Sequence, residues 1–248
     1  MKFSCISDVH IKKTGDPASE VIQLFFSNTF VKESDAIFLL GDIFDFMIGG
    51  HKGFVKTYEF FFKELATCIN NGQKIYVFEG NHDFHVEKVY NYFLEKENLD
   101  KSKFEFSRVG KNLEIDGKNI YFCHGDDLDF DNPYYQRWKK IYSSLPFKLF
   151  VEKLLPYNIL MKLGEKAAGN SKRRGKKVFD YTKAQQRYRK NAMHVIQEQS
   201  CDILVFGHTH IKEEQTVNGK QYINNGFPIK DKTFVHYDGK TIGLKSLV

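Results

Sequence analysis

Seven side chains able to bind divalent metals stand just behind five short apolar runs. Asp8 and His10 follow Lys2–Ser7, Asp42 follows Ala36–Leu40, and Asn81 follows Lys74–Phe78. His124 follows Asn119–Cys123, and His208 and His210 follow Asp202–Phe206. A carboxylate can bridge two cations, while neutral imidazoles and an amide oxygen complete each shell without excess negative charge. This mixture of nitrogen and oxygen suits manganese, iron, zinc or cobalt better than calcium, so two divalent ions are the expected cofactors, the ligand types leave those four open, and manganese is our first choice. Two cations about 3.5–4 Å apart share a hydroxide, lower its pKa and clamp phosphoryl oxygens. Any one piece is weak, because Asp-x-His or Gly-Asp occurs by chance and a lone histidine is more often structural than a ligand. Five pieces in chain order, each at the end of an apolar run, form one pattern.

Runs of four to six residues rich in Ile, Val, Phe and Tyr predict buried strands. Helical periodicity over Glu20–Phe30, Val55–Asn70 and Ala184–Gln199 fills several of the gaps. That alternation predicts a layered α/β fold whose strand ends face a common crevice. Glycine or aspartate after each run lets the backbone turn sharply where the side chains converge. Further on, Glu214–Thr216, Gln221–Ile223, Thr233–Tyr237 and Thr241–Leu247 read as short strands. Asn218-Gly219 and Asp238-Gly239 are hairpin turn signals between them, so the parallel part is expected to continue into an antiparallel sheet. From 131 to about 190 the pattern changes. Leu145–Leu163 is amphipathic at helical spacing, with Pro146 and Pro156 placed to open helices. The segment 131–194 is read as a helical cap inserted into a core made of 1–130 and 195–248.

The 248 residues carry a formal net charge of +6, which conceals a division. Arg137 to Lys190 holds 16 basic and 3 acidic residues, while the rest of the chain carries a net charge of −7. Apolar content of 42% and charged content of 27% exclude wholesale disorder. A charge at Asp8 leaves no room for a signal-peptide apolar region, and no stretch of about 18 apolar residues is available to span a bilayer. Cys5, Cys68, Cys123 and Cys201 are far apart and form no CxxC pair. Buried reduced thiols and a cytoplasmic location are the expectation.

Asp8-x-His10, Gly41-Asp42-x-x-Asp45, Gly80-Asn81-His82-Asp83, His124-Gly125-Asp126 and Gly207-His208-x-His210 are similar to the full motif set of the calcineurin-like metallophosphoesterases. The resemblance spans 1–130 and about 195–226 and implies a four-layer αββα sandwich. It implies one metal held by Asp8, His10, Asp42 and His210, and a second held by Asp42, Asn81, His124 and His208, with Asp42 bridging. His82 would donate to a phosphoryl oxygen or leaving group, with Asp83 as its orienting partner. His85 and His51 are weaker candidates for lining the site, and His194 and His236 are read as structural.

The superfamily includes protein phosphatases, nucleases, cyclic-nucleotide phosphodiesterases and pyrophosphatases, so the core alone names no substrate. The stretches 124–137 and 41–49 resemble those of the UDP-2,3-diacylglucosamine hydrolases of the Gram-negative lipid A pathway, which also carry a basic helical cap. Asn170-Ser171-Lys172 is similar to an element of that cap, whereas well-known members of the group carry Arg at the position of His82. The resemblance implies release of UMP and 2,3-diacylglucosamine 1-phosphate from a nucleotide-linked lipid. On that substrate Asp131 is expected to bond the amino sugar, and Lys172, Arg173, Lys176 and Lys177 to meet phosphate or membrane headgroups, with Tyr135 and Ser171 as further substrate contacts. Phe147, Leu149, Phe150, Val151, Leu154, Leu155, Ile159, Leu160 and Met161 could line an acyl groove or pack the cap onto the body. Bases beside apolar stripes also suit a peripheral position on the cytoplasmic face of the inner membrane. No nucleic-acid partner is expected, because the charge is paired with aliphatic stripes rather than stacking aromatics. Another phosphodiesterase, nucleotide-sugar pyrophosphatase or nuclease, or a non-catalytic scaffold of the same fold, remain the rival readings. Oligomeric state is open.

Overall fold

The structure, a computed structural model, describes residues 1–164 and 181–248. The first run becomes β1 (Phe3–Ile6), followed by α1 (Pro17–Ser27), α2 (Thr29–Lys32) and β2 (Ala36–Leu39). Asp16 opens α1 by accepting from Ser19 N at 2.7 Å, with Pro17 in the first turn where its missing N–H is harmless. The periodicity over Glu20–Phe30 is broken because Asn28 starts a new helix, accepting from Phe30 N at 3.0 Å. Next come β3 (Met47–Ile48), α3 (Gly53–Thr57), α4 (Glu59–Asn70) and β4 (Lys74–Phe78). They are followed by β5 (Asp83–Phe84), α5 (Glu87–Lys96), β6 (Phe104–Ser107), β7 (Lys111–Ile115) and β8 (Lys118–Phe122). A 3-10 turn, Asp126–Asp129, leads into α6 (Pro133–Tyr142) and α7 (Leu145–Leu149). After α8 (Tyr181–Glu198) the chain forms β9 (Ile203–Phe206), β10 (Lys212–Val217), β11 (Lys220–Asn225), β12 (Thr233–Tyr237) and β13 (Ile242–Ser246).

The motif-bearing runs do not share one sheet. β1, β2 and β4 lie in a six-stranded sheet of order β13-β12-β1-β2-β4-β6, while β8 and β9 lie in a five-stranded sheet of order β10-β11-β9-β8-β7. The C-terminal strands do not form a sheet of their own either. The β10–β11 hairpin joins the second sheet beside β9, and the β12–β13 hairpin joins the first beside β1. Side-chain alternation explains how the two sheets are covered. Phe3, Cys5, Phe38, Tyr76 and Phe78 face Ile120, Phe122, Ile203 and Val205 across the two sheets. The alternate residues Ile6, Ile37, Leu39, Ile75 and Val77 pack under the helices carrying Val21, Phe25, Phe61 and Leu65. Those of the second sheet, Tyr121, Leu204 and Phe206, pack under Tyr188, Ala192 and Ile196 of α8. Each central run is apolar on both faces, so each sheet is covered twice, and the layers are α, β, β, α.

Leu145–Leu163 is not one helix. α7 passes into a π-helical turn, Phe150–Leu154; Leu155 is extended, as a residue before proline prefers, and helix resumes over 157–164. Phe147, Val151, Leu155, Leu160 and Met161 pack against the body. Leu149, Phe150, Leu154 and Ile159 are exposed instead, beside Leu145 and Leu163. α8 runs without a break through residue 194 and supplies the outer layer on the second sheet.

Candidate metal centre

The turns behind the strands hold the candidate ligands in unusual backbone conformations. Asp8 (φ 56°), His10 (56°), Asp42 (52°), His208 (66°) and His210 (55°) are all left-handed. Such residues are uncommon outside glycine, and each stores of order 1 kcal/mol or more of strain. Backbone bonds between loops hold them: Asp8 N donates to Gly41 O at 3.1 Å, His10 N to Asp42 O at 3.0 Å, and His208 N to Asp8 Oδ2 at 2.9 Å. Two glycines allow the close approach. A Cβ on Gly80 would lie 2.2 Å from Asp42 Oδ1, and one on Gly207 would lie 2.3 Å from Asp8 Oδ2.

The side chains converge in two adjoining groups. In one, His10 Nε2 lies 3.1 Å from His210 Nε2 and 3.9 Å from Asp42 Oδ2, and His210 Nε2 lies 3.3 Å from Asp8 Oδ1. In the other, Asn81 Oδ1 lies 3.1 Å from His124 Nε2 and 2.9 Å from His208 Nδ1, and His124 Nε2 lies 3.5 Å from Asp42 Oδ2. Asp42 Oδ2 therefore belongs to both groups, while its Oδ1 accepts from His82 N at 2.8 Å.

The protons of the second group can be placed. His124 Nδ1 lies 2.8 Å from the carbonyl of Leu40, which only accepts, so Nδ1 carries hydrogen and a neutral His124 presents a lone pair at Nε2. His208 Nε2 lies 3.0 Å from Asp129 Oδ2, which leaves its Nδ1 as a lone pair too. With both imidazoles neutral, four acceptors, His124 Nε2, His208 Nδ1, Asn81 Oδ1 and Asp42 Oδ2, meet with no hydrogen among them. Buried acceptors facing one another repel unless a cation or a proton sits with them. Electrostatics agree. Burial opposes the imidazolium of His124, but Asp42, Asp8 and Asp126 outweigh it and push its pKa up to about 9. In the first group burial dominates at His10, bringing it down to about 4, while the Asp8 carboxyl is held well below its usual range by His210, His124 and His10 despite burial. The donor set fits two cations sharing Asp42.

A family model for calcineurin-like phosphoesterases matches residues 1–212. The chain belongs to that family. It is a metal-dependent hydrolase of mixed α/β architecture. The chain is 26% identical over 222 residues to the UDP-2,3-diacylglucosamine hydrolase of Wigglesworthia glossinidia brevipalpis, covering 88% of this chain and 82% of that protein. It is 26% identical to the enzyme of the same name from Histophilus somni, over 83% of this chain and 82% of that one. It is 27% identical to that of Photorhabdus laumondii, over 83% and 80%.

One expected role in this phosphoesterase is corrected. Asp83 does not orient His82. Its carboxylate, 4% exposed, turns back to accept from Asp42 N at 2.8 Å and Gly80 N at 2.9 Å on one oxygen. The other oxygen accepts from Ile43 N at 2.7 Å and Phe44 N at 3.2 Å. His82 is instead held by Nδ1–H donating to Asp45 O at 2.9 Å. Donation from its Nε2 to a substrate therefore requires the imidazolium form.

The remaining candidates separate. Tyr135 is half-buried with its ring 5.4 Å from that of His208, and its OH lies 3.2 Å from both Asp126 Oδ2 and Tyr142 OH. Asp131 is exposed, 4.0 Å from Arg187 Nε, and touches none of the converging groups. Ser171, Lys172, Arg173, Lys176 and Lys177 lie outside the described residues. His85 bonds Tyr142 O at 2.7 Å, and His51 bonds Val151 O at 3.0 Å, tying α6 and the π-helical turn to the body. His236 bonds Ser4 Oγ at 2.9 Å inside the fold, and His194 is exposed beside Phe130. All four cysteines are buried and free.

Sequence reasoning missed Asp129, 5% exposed and bonded to His208, and Ser7, whose Oγ donates to Asp8 Oδ2 at 2.5 Å. The signal for Asp129 was the dense run of acids at 126, 127, 129 and 131, of which only the last was singled out for its own contact. For Ser7 there was none, since a serine before the first aspartate looks like any strand end.

Proposed function

We propose that this phosphoesterase hydrolyses the diphosphate of UDP-2,3-diacylglucosamine, releasing UMP and 2,3-diacylglucosamine 1-phosphate, at the cytoplasmic face of a membrane. The observation that carries the hydrolytic part is the convergence of acceptor atoms on either side of Asp42 Oδ2. The substrate rests on the relatives bearing that name, which this chain matches over four-fifths of its length.

Asp8, His10, Asp42 and His210 would hold one divalent ion, and Asp42, Asn81, His124 and His208 the other, manganese being our choice of metal. Bound there, such ions supply a Lewis-acid clamp on phosphoryl oxygens and water acidic enough to attack near neutral pH. The protein's own part is arrangement. Asp42 is fixed by the His82 N–H on Oδ1, so that Oδ2 is directed between the two groups. His82, with Nδ1 committed to Asp45 O, presents Nε2 beside His10, their rings 4.8 Å apart, and as the imidazolium would neutralise charge developing on oxygen.

The outer surface supports a lipid substrate. Tyr134, Trp138, Ile141, Leu145 and Leu154 are each more than half exposed, alongside exposed Arg137, Lys140 and Lys153. Apolar groups among bases suit insertion at an anionic bilayer. Among the described residues no helix is long and apolar enough to cross one. The test is to offer purified protein and manganese UDP-2,3-diacylglucosamine, bis-p-nitrophenyl phosphate and short DNA in parallel. UMP release from the lipid is expected; efficient DNA cleavage without UMP release would overturn the assignment.

A further inference from the structure

The far side of His208 is as carefully built as the side facing the site. Its Nε2 meets Asp129 Oδ2 at 3.0 Å. That carboxylate is anchored from α8: Tyr188 OH donates to Asp129 Oδ1 at 2.9 Å, and the Arg187 guanidinium pairs with the same oxygen. The turn bearing Asp129 is anchored as well, Asn191 Nδ2 donating to Leu128 O at 2.7 Å and Gln136 Nε2 to Asp129 O at 3.1 Å. Leu128 is fully buried under α8. An ionised carboxylate only accepts, so Nε2 carries the hydrogen, and the neutral, metal-binding ring then turns its Nδ1 lone pair to the side of Asn81 Oδ1. Without Asp129 the ring could flip, or take the other tautomer and donate from Nδ1 to Asn81, which would spoil a ligand set.

We propose that Asp129 is a positioning residue for the second cation site: it fixes the tautomer and the ring of His208 and ties both to α8 through Tyr188 and Arg187. The proposal rests on the dinuclear reading above. A carboxylate behind a ligating histidine raises its basicity and pins its orientation, and its loss weakens metal binding about 10–100-fold. Only the ion that uses His208 should feel the change, because the first group has no contact with Asp129 among the described residues.

The experiment is a manganese titration of the full chain, free Mn2+ being followed by its paramagnetic resonance signal, for wild type and Asp129→Asn. The amide is isosteric and leaves the turn in place, which thermal unfolding of both proteins checks. Two ions are expected on wild type. Asp129→Asn should keep one at wild-type affinity and bind the second about 10–100-fold more weakly, with turnover restored by raising manganese. Equal affinity at both sites in the variant would overturn the proposal, as would equal weakening at both, which indicates general loss of structure. Should Asp129→Asn fold poorly, Arg187→Met/Tyr188→Phe frees the carboxylate from its anchors without touching the site; unchanged second-ion affinity there also overturns it. A wild-type chain that binds one ion refutes the dinuclear reading itself, and the proposal with it.

Discussion

Replacing Asp83 by Asn distinguishes a brace from a catalytic partner. The native carboxylate accepts four backbone N–H groups, two on each oxygen, and all belong to the turn that carries Asp42 or to Gly80. An amide keeps one accepting oxygen and sets an NH2 against the other pair. Ile43 N and Phe44 N, or else Asp42 N and Gly80 N, would then face a donor in the interior. Each buried polar group left unsatisfied costs about 1–3 kcal/mol. Part of that is offset, because burial and the neighbouring Asp42 already disfavour the Asp83 carboxylate and push its pKa up to about 7. A net loss of about 3 kcal/mol follows, equivalent to a fall in Tm of roughly 6–12 °C for a chain of this size. Because Asp42 rides on the same turn, apparent metal affinity should fall with stability. The His82 ring keeps its bond to Asp45 O. The assay is thermal unfolding by circular dichroism together with turnover against manganese concentration. A Tm within about 2 °C of wild type, with kcat lost and the metal dependence unchanged, would refute the brace and restore Asp83 as the partner of His82.

Cation uptake should release protons, because ligating imidazoles must be neutral while Asp42 and Asp8 hold His124 at about 9; calorimetry at pH 7.5 in buffers of different ionisation enthalpy should show about one proton or more leaving, and affinity should fall as pH is lowered. Burial raises Glu79 to about 7, so its ionisation disfavours the folded state, with the penalty absent below about pH 4.5 and complete above pH 7. Glu79→Gln, which keeps an acceptor for Val86 N, should match wild type near pH 4.5 and be more stable by about 2 kcal/mol at pH 8 in urea unfolding. Trp138, the single tryptophan and 51% exposed, should shift its fluorescence to the blue on anionic vesicles and not on neutral ones if the apolar rim docks there.

What could be read from the sequence depended on how local the determinant was. Asp8, Asp42, Asn81, His124, His208 and His210 were legible because each sits at the end of an apolar run, and layered folds bring such ends together. The division of β1, β2 and β4 from β8 and β9 was not legible, since all these runs are apolar on both faces and carry no mark of which neighbour they pair with. The role of Asp83 was not legible, because most of its partners run from Asp42 to Phe44, some 40 positions earlier, and adjacency to His82 does not reveal them. Asp129 depended on Tyr188, 59 positions later, which no local pattern reveals. Within Leu145–Leu163 the apolar spacing correctly marked helical structure, but Pro156 and the preceding extended residue divided it. One part of the stripe turned to the body and the other to solvent.

Two cations should sit on either side of Asp42. Anomalous diffraction from crystals grown with manganese tests it most directly. Two peaks are predicted, one against His10 and His210 and one against Asn81, His124 and His208, both next to Asp42 Oδ2. A single peak, or two peaks that do not share Asp42, would contradict the account.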